Sequence, residues 1–277
     1  LWVGDHVTHE QGFERVAHLR PFPLPGGEQA MKDPRRCALG LLYEVMGDRA
    51  FEVAQSLPQP LFSPLELQVL RPMLQRGLNC PRTSSMGRLF DGVSALINCC
   101  RQVTFEGQAA MALEYAMERG SAGVGAIASP SSEENITYPY TIITDTPNPL
   151  TVMASPLQFD YEPLLTTIVE DLQNGVVIPR ISATFHNTLI AGFSQIMQTL
   201  SQSYPSTQQV VLTGGCFQNH YLLTSMAEAL KSLSFSVGWH HQIPTNDGGI
   251  AVGQVMAVLR QHCWLNTTAK TLNKSKR

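Results

Sequence analysis

The chain has 277 residues, 43% hydrophobic and 15% charged, with a net charge of −3. That is the profile of a globular protein with room for one large or two modest cores. It argues against a nucleic-acid polyanion as the main partner, and no run reaches the ~18 apolar residues that a membrane span needs.

The chain opens on Leu1-Trp2-Val3-Gly4-Asp5 rather than on Met, and reads as a piece of a longer protein. Residues 1–30 are expected to be loop-rich, with a turn at Pro25-Gly26-Gly27 and a helix able to start at Glu28. Helical spacing follows over 35–47, closing at Gly47, and again over 64–77, closing at Gly77. SSMGRLFDGVSALINCC (84–100) predicts a helix with Met86, Leu89, Phe90, Val93 and Ile97 on its apolar face, and FEGQAAMALEYAMERG (105–120) predicts another. Gly, Ser, Pro and Thr then dominate over 121–150, where SPSSEEN reads as a surface loop and ITYPYTIIT as a strand pair.

Residues 160–172 and 178–200 are strongly helical in pattern. The text then changes: QVVL (209–212) is a strand, NHYLLTSMAEALKSL a helix, FSVGWHH a strand, and GIAVGQVMAVLRQHC a final helix. This βαβα order after many helices points to an α/β domain with a helical insertion. The basic tail, Lys270 to Arg277, reads as a solvated end.

The six cysteines form no C-x-x-C pair, and Cys99-Cys100 sits in an apolar helical run. Reduced, mostly buried thiols and a cytoplasmic setting are expected, without a zinc cluster.

Two glycine pairs stand at strand-to-helix junctions: Gly214-Gly215 in TGGCFQNHYLL and Gly248-Gly249 in PTNDGGIAVGQ. Glycine lets a ligand approach the backbone, and the free N–H groups of the next helix favour an anion. Gly214-Gly215 is either such a site or a tight turn. Asn219 has a donor and an acceptor suited to a base or sugar edge. Asp247 either caps the last helix or binds a metal or orients a phosphate. Parallel strands would set both junctions side by side, where open α/β sheets bind ligands.

Four segments in order, SSMGRLFD (84–91), FEGQAAMALE (105–114), GGCFQN (214–219) and QIPTNDGGIAVGQ (242–254), resemble the C-terminal domain of the hydrogenase maturation carbamoyltransferases of the HypF family. The resemblance runs from LWVGD to about residue 262. It implies an actin-like ATPase (ribonuclease H-like) α/β fold of two lobes with a helical insertion, the first part of the domain missing. Residues 1–150 would be the rest of the first lobe plus the insertion, 151–262 the second lobe, and 263–277 a tail. It also implies transfer of a carbamoyl group from carbamoyl-adenylate, made from ATP elsewhere in the polypeptide, to the C-terminal cysteine of HypE in cyanide-ligand synthesis for [NiFe]-hydrogenase. An O-carbamoyltransferase acting on a small-molecule hydroxyl and a non-catalytic nucleotide-binding module are the alternatives.

Carried over, Gly214, Gly215 and Asn219 would line the nucleotide pocket, and Gly26 and Gly27 would approach from the other side. Asp247 would ligate a divalent zinc or iron, its other ligands being a His-x-x-x-His pair before the chain begins; His6, His9 and His18 do not have that spacing. Val3 and Asp5 replace the family's usual Gly and Glu in the opening segment. The upstream domains of the same polypeptide would be partners.

Arg88 and Glu106 are the candidate catalytic residues. Arg88 either binds the substrate's acyl phosphate or carboxylate or pairs with Asp91. Glu106 and Gln108 either face the carbamoyl group or complement a helix dipole. His186 reads as a packed side chain, and at most one of His240 and His241 faces the site. Cys216 has no evident base and reads as an apolar filler.

Overall fold

The computed structural model describes residues 2–4, 13–118, 136–144 and 156–259. Four short strands occupy the start: β1 (Trp2–Gly4), β2 (Phe13–Arg15), β3 (Ala17–Leu19) and β4 (Phe22–Pro23). This region was expected to be loop-rich. None of these strands exceeds three residues, too short for alternation to show in the sequence.

After the Gly26-Gly27 turn come α1 (Gln29–Lys32), α2 (Pro34–Met46), α3 (Arg49–Ser56) and α4 (Pro64–Arg76). Gly47 closes α2 with φ +57°, a conformation that disfavours a side chain. Ser63 and Glu66 form a reciprocal capping box at the start of α4, and left-handed Gly77 ends it. Then follow β5 (Arg82–Thr83), α5 (Met86–Leu96), α6 (Gln108–Glu118), β6 (Thr141–Ile143) and β7 (Leu157–Asp160). Cys99 and Cys100 lie beyond α5 rather than inside it, and the pair of strands expected over 136–144 is a single strand preceded by extended chain. The last elements are α7 (Glu162–Gln173), α8 (Ile178–Ser203), β8 (Gln209–Leu212), α9 (His220–Ser232), β9 (Ser236–Trp239) and a final helix over 250–259.

The architecture is mixed α/β with small sheets. β1 pairs with β2 and β4 with β5, both antiparallel. β7 lies between β3, to which it is parallel, and β6, to which it is antiparallel. β6 and β7 stand on either side of residue 150, so the two expected lobes share a sheet, and one continuous buried core runs from Val16 to Phe235. The core closes through tight approaches: a Cβ on Gly92 of α5 would strike Leu41 of α2, and one on Gly192 of α8 would strike the Phe159 ring. That ring stacks between Tyr140 and Phe193, with centroids 5.5 and 5.7 Å away. Arg20, reaching Glu44, Asp160 and Glu162, ties the end of β3 to α2 and to the β7–α7 junction.

The final helix is different. Its sequence, IAVGQVMAVL, is apolar nearly all round, a pattern that belongs to buried helices. All ten of its positions are nevertheless exposed.

Candidate functional site

β8 and β9 run parallel in register, Gln209 opposite Ser236 through Leu212 opposite Trp239. Their C-terminal ends therefore sit side by side; Gly214-Gly215 follows β8 directly, and Gly248-Gly249 follows β9 after the segment 240–247. The Gly214 N–H donates to the Thr245 carbonyl at 2.8 Å, joining the two turns. Thr213 Oγ1 adds a contact of 3.0 Å to His240 Nε2. Gly214 has φ +104°, and a Cβ built there would meet nothing within 4 Å. Its glycine is needed for the backbone conformation, and open space lies beside it. Residues 215–218 form a single 3₁₀ turn in which Phe217 N–H donates to Gly214 O. Among the described residues, the N–H groups of Gly215 and Cys216 have no acceptor.

Asn219 behaves otherwise than the sequence suggested. It is buried and is the N-cap of α9, its Oδ1 accepting from Leu222 N–H at 2.7 Å. Its Nδ2 donates to His186 Nε2 at 3.0 Å. The next two N–H groups of α9, those of His220 and Tyr221, donate to one carboxylate oxygen of Glu114, at 2.8 and 3.3 Å. The helix end anticipated as an open anion site is thus already filled by the protein's own carboxylate.

His186 is fully buried on α8, its Nδ1 donating to Ser182 O at 2.8 Å, with Phe90, Phe185 and Tyr221 edge-on to the ring. Burial pushes its pKa down to about 4, so the imidazole is neutral. It is a packed, satisfied side chain, as expected.

Beside the glycine-pair turn lies a buried ion pair. Arg88 Nη1 stands 2.8 Å from Asp91 Oδ2, one helical turn on. Burial pushes the Asp91 carboxyl up to about 6, against the pull of Arg88 and with a smaller push from Glu106. Asp91 and Arg88 also act on Cys216, whose thiol is pushed up to about 11, mainly by burial. The structure therefore gathers Arg88, Asp91 and Cys216 at one end of the glycine-pair turn, with Glu106 near enough to act weakly on Asp91. Cys216 stays a thiol at neutral pH and is a poor nucleophile. Gln108 is engaged locally, its Oε1 accepting from Thr104 N–H at 2.7 Å.

The sequence as a whole matches a known family. Residues 1–254 match the family described as "Carbamoyltransferase, Kae1-like Domain, second subdomain". The chain belongs to this family. It is 36% identical over 275 residues to "Carbamoyltransferase HypF" of Synechocystis sp., covering 94% of this chain and 32% of that protein. "Carbamoyltransferase HypF2" of Cupriavidus necator is 32% identical over 271 residues, with coverages of 94% and 32%. Among solved structures, "full-length HypF in the phosphate- and nucleotide-bound form" superposes with TM-score 0.72 at 35% identity, over 88% of this chain and 28% of that one. T. kodakarensis HypF gives TM-score 0.67 at 22% identity, over 87% and 29%, a likeness of fold. The chain thus spans about a third of the length of the curated carbamoyltransferases it matches.

The remaining residues singled out for this carbamoyltransferase domain do not join the cluster. Gly26 and Gly27, with φ +90° and +56°, make a turn held by Asn79 O and packed against Arg36 and Asn79. No hydrogen bond or ion pair among the described residues links that turn to Gly214. Asp247 begins the 3₁₀ turn Asp247–Gly249, but the cap is Asn246, whose Oδ1 accepts from Gly248 N–H at 3.1 Å. The Asp247 carboxylate is exposed, with no side-chain hydrogen bond or ion pair among the described residues. His240 and His241 follow β9 instead of lying within it. His6 and His9 lie outside the described residues, and His18 Nδ1 lies 2.9 Å from Leu19 O. No group of three metal-ligating side chains converges among the described residues, so they do not by themselves fit the divalent metal.

Two positions were not singled out in the sequence. Glu114 was visible only as the last letter of FEGQAAMALE, and nothing local marks it as the cap of a helix 106 residues away. The sequence marks Asp91 only as a partner for Arg88; in the structure it is buried, its own carboxyl is pushed up, and it adds to the effect of burial on the Cys216 thiol.

Proposed function

We propose that this chain holds the nucleotide end of an activated carbamoyl donor within a hydrogenase maturation carbamoyltransferase. The donor is carbamoyl-adenylate and the acceptor is the C-terminal cysteine thiolate of HypE. The observation that carries the reading is the tie from Gly214 N–H to Thr245 O. It sets two glycine turns at the ends of parallel strands, the position where α/β sheets bind ligands. The relative solved with phosphate and nucleotide, 35% identical to this chain, supports a nucleotide ligand.

In this reading Gly214 leaves room for the α-phosphate, and the free N–H groups of Gly215 and Cys216 donate to it. Arg88 keeps donors beyond the one given to Asp91 and stabilises charge that builds on the leaving phosphate. The partner's thiolate attacks the carbamoyl carbon, an S–C bond forms, the C–O bond to phosphate breaks, and AMP leaves with the electron pair. Cys216, held as a thiol, does not compete. Asp247 offers a carboxylate at the second turn that is free among the described residues; no step is assigned to a metal.

The test is a transfer assay with the full-length polypeptide containing this chain, offered either a peptide ending in cysteine or a sugar hydroxyl. Thiocarboxamide on the peptide is expected, and Gly214→Val is expected to abolish it while circular dichroism is unchanged. Transfer to the hydroxyl alone would overturn the choice of acceptor. The 277-residue chain alone is expected not to transfer.

A further inference from the structure

The N-terminus of α9 is closed from two sides. From α6, Glu114 takes the His220 and Tyr221 N–H groups on one oxygen. From α8, His186 holds the Asn219 amide, which caps Leu222. The 3₁₀ turn 215–218 hangs between this clamp and the Gly214–Thr245 hydrogen bond. Within it Cys216 and Phe217 pack against the core, whereas the glycines leave space: a Cβ on Gly214 would meet nothing within 4 Å, and one on Gly215 only Asn246, at 3.9 Å.

We propose that Glu114 is a positioning residue for the glycine-pair turn. Its carboxylate is a resident anion that fastens α9, and through Asn219 the turn, to the upstream helical layer. It also denies the α9 end to an incoming phosphate, so that among the described residues the backbone donors left here for a ligand are those of the turn itself. A carboxylate at a helix N-terminus is held by both hydrogen bonds and the helix dipole. A neutral amide oxygen keeps the hydrogen bonds and gives up the charge term. An alanine gives up both and leaves two N–H groups open to any small carboxylate. The inference rests on the proposed nucleotide role of the turn for its functional consequence, but the clamp itself can be judged without a ligand.

The experiment follows amide hydrogen exchange of the 277-residue chain across 214–222, then ATP affinity by calorimetry. Glu114→Ala is expected to speed exchange at His220, Tyr221 and the turn by about 10-fold or more, since a lost cap opens the first turn of a helix. Added acetate is expected to restore slow exchange, and Glu114→Gln to remain close to the parent. ATP affinity is expected to fall about 10-fold in Glu114→Ala and to recover with acetate. If Glu114→Ala does not fold, Glu114→Asp, with a shorter arm, takes its place. Unchanged exchange, or loosening that acetate does not reverse, overturns the clamp. Loosened exchange with undiminished ATP affinity overturns the positioning role. If the parent does not bind ATP, the nucleotide reading fails, and exchange with and without acetate still decides whether Glu114 positions the turn.

Discussion

Asn219 donates through Nδ2 to Nε2 of His186, 3.0 Å away inside the core. The Asn219 oxygen is taken by Leu222 N–H, and the other imidazole nitrogen by the Ser182 carbonyl. Every atom of the chain of contacts therefore has one role, and a proton added at His186 Nε2 would face a second donor.

That arrangement sets a pH dependence. His186 has a folded pKa of about 4, below its ordinary 6.5, because burial disfavours the charged ring. The unfolded chain then binds more protons between pH 6.5 and about 4, so this group's contribution is complete above ~7 and falls as pH drops through that window. The loss totals about 3 kcal/mol for a shift of this size. Urea denaturation at pH 7.5, 6, 5 and 4.5 should show it, and His186→Gln should flatten the slope. An equally steep slope in the variant would contradict the assignment.

The Arg88–Asp91 pair has the opposite sense. Burial raises Asp91 to about 6 from 3.8, so its contribution is complete below ~3.8 and is lost as pH rises through 6. Arg88→Leu leaves a buried carboxylate without its cation and should cost about 3 kcal/mol at pH 8. At pH 5 Asp91 is largely protonated, and the cost should shrink. A penalty that is equal at both pH values would mean the pair does not govern stability.

Gly249 is constrained by contact. A Cβ there would lie 2.6 Å from the Pro244 carbonyl oxygen and 3.2 Å from Ile243. Gly249→Ala should cost about 1–3 kcal/mol and shift the Asp247 turn. Gly253, with nothing within 4 Å, is the control. Gly253→Ala should be neutral or stabilise by up to about 1 kcal/mol, as a helix-interior glycine replacement does. Thermal denaturation of both separates a steric effect from a propensity effect.

Asp247 should separate stability from function. Being exposed and unpaired among the described residues, it should tolerate Asp247→Ala with a thermal midpoint unchanged to within about 2 °C. Carbamoyl transfer by the full-length polypeptide should nevertheless fall by about 100-fold or more if the carboxylate touches substrate or metal. Retained activity would remove Asp247 from the site.

The long helices were legible because period and punctuation agreed: the apolar face of α5, the glycine ends of α2 and α4, and the 26-residue α8 stand close to where the sequence put them. So did the juxtaposed glycine turns, since β8 and β9 are short but followed by unmistakable helix starts. α3 was passed over because only eight residues carry its pattern, and the opening strands because they are shorter still. Asn219 is a different case. Its chemistry suits a ligand or a cap equally, and only the approach of His186 and Glu114 from distant helices decides that it is buried and used. Long-range satisfaction of polar groups leaves no local trace.

The final helix has a consequence for the purified chain as a colloid. Val255, Met256, Val258 and Leu259 are each more than half exposed, and little charge lies among them to keep two molecules apart. An apolar surface of this kind is adhesive in water. Light scattering should show molecules gathering as concentration rises, and a fluorescent apolar dye should bind. The double substitution Val255→Glu with Met256→Lys should disperse the particles while leaving the buried core, and its cooperative melting, untouched.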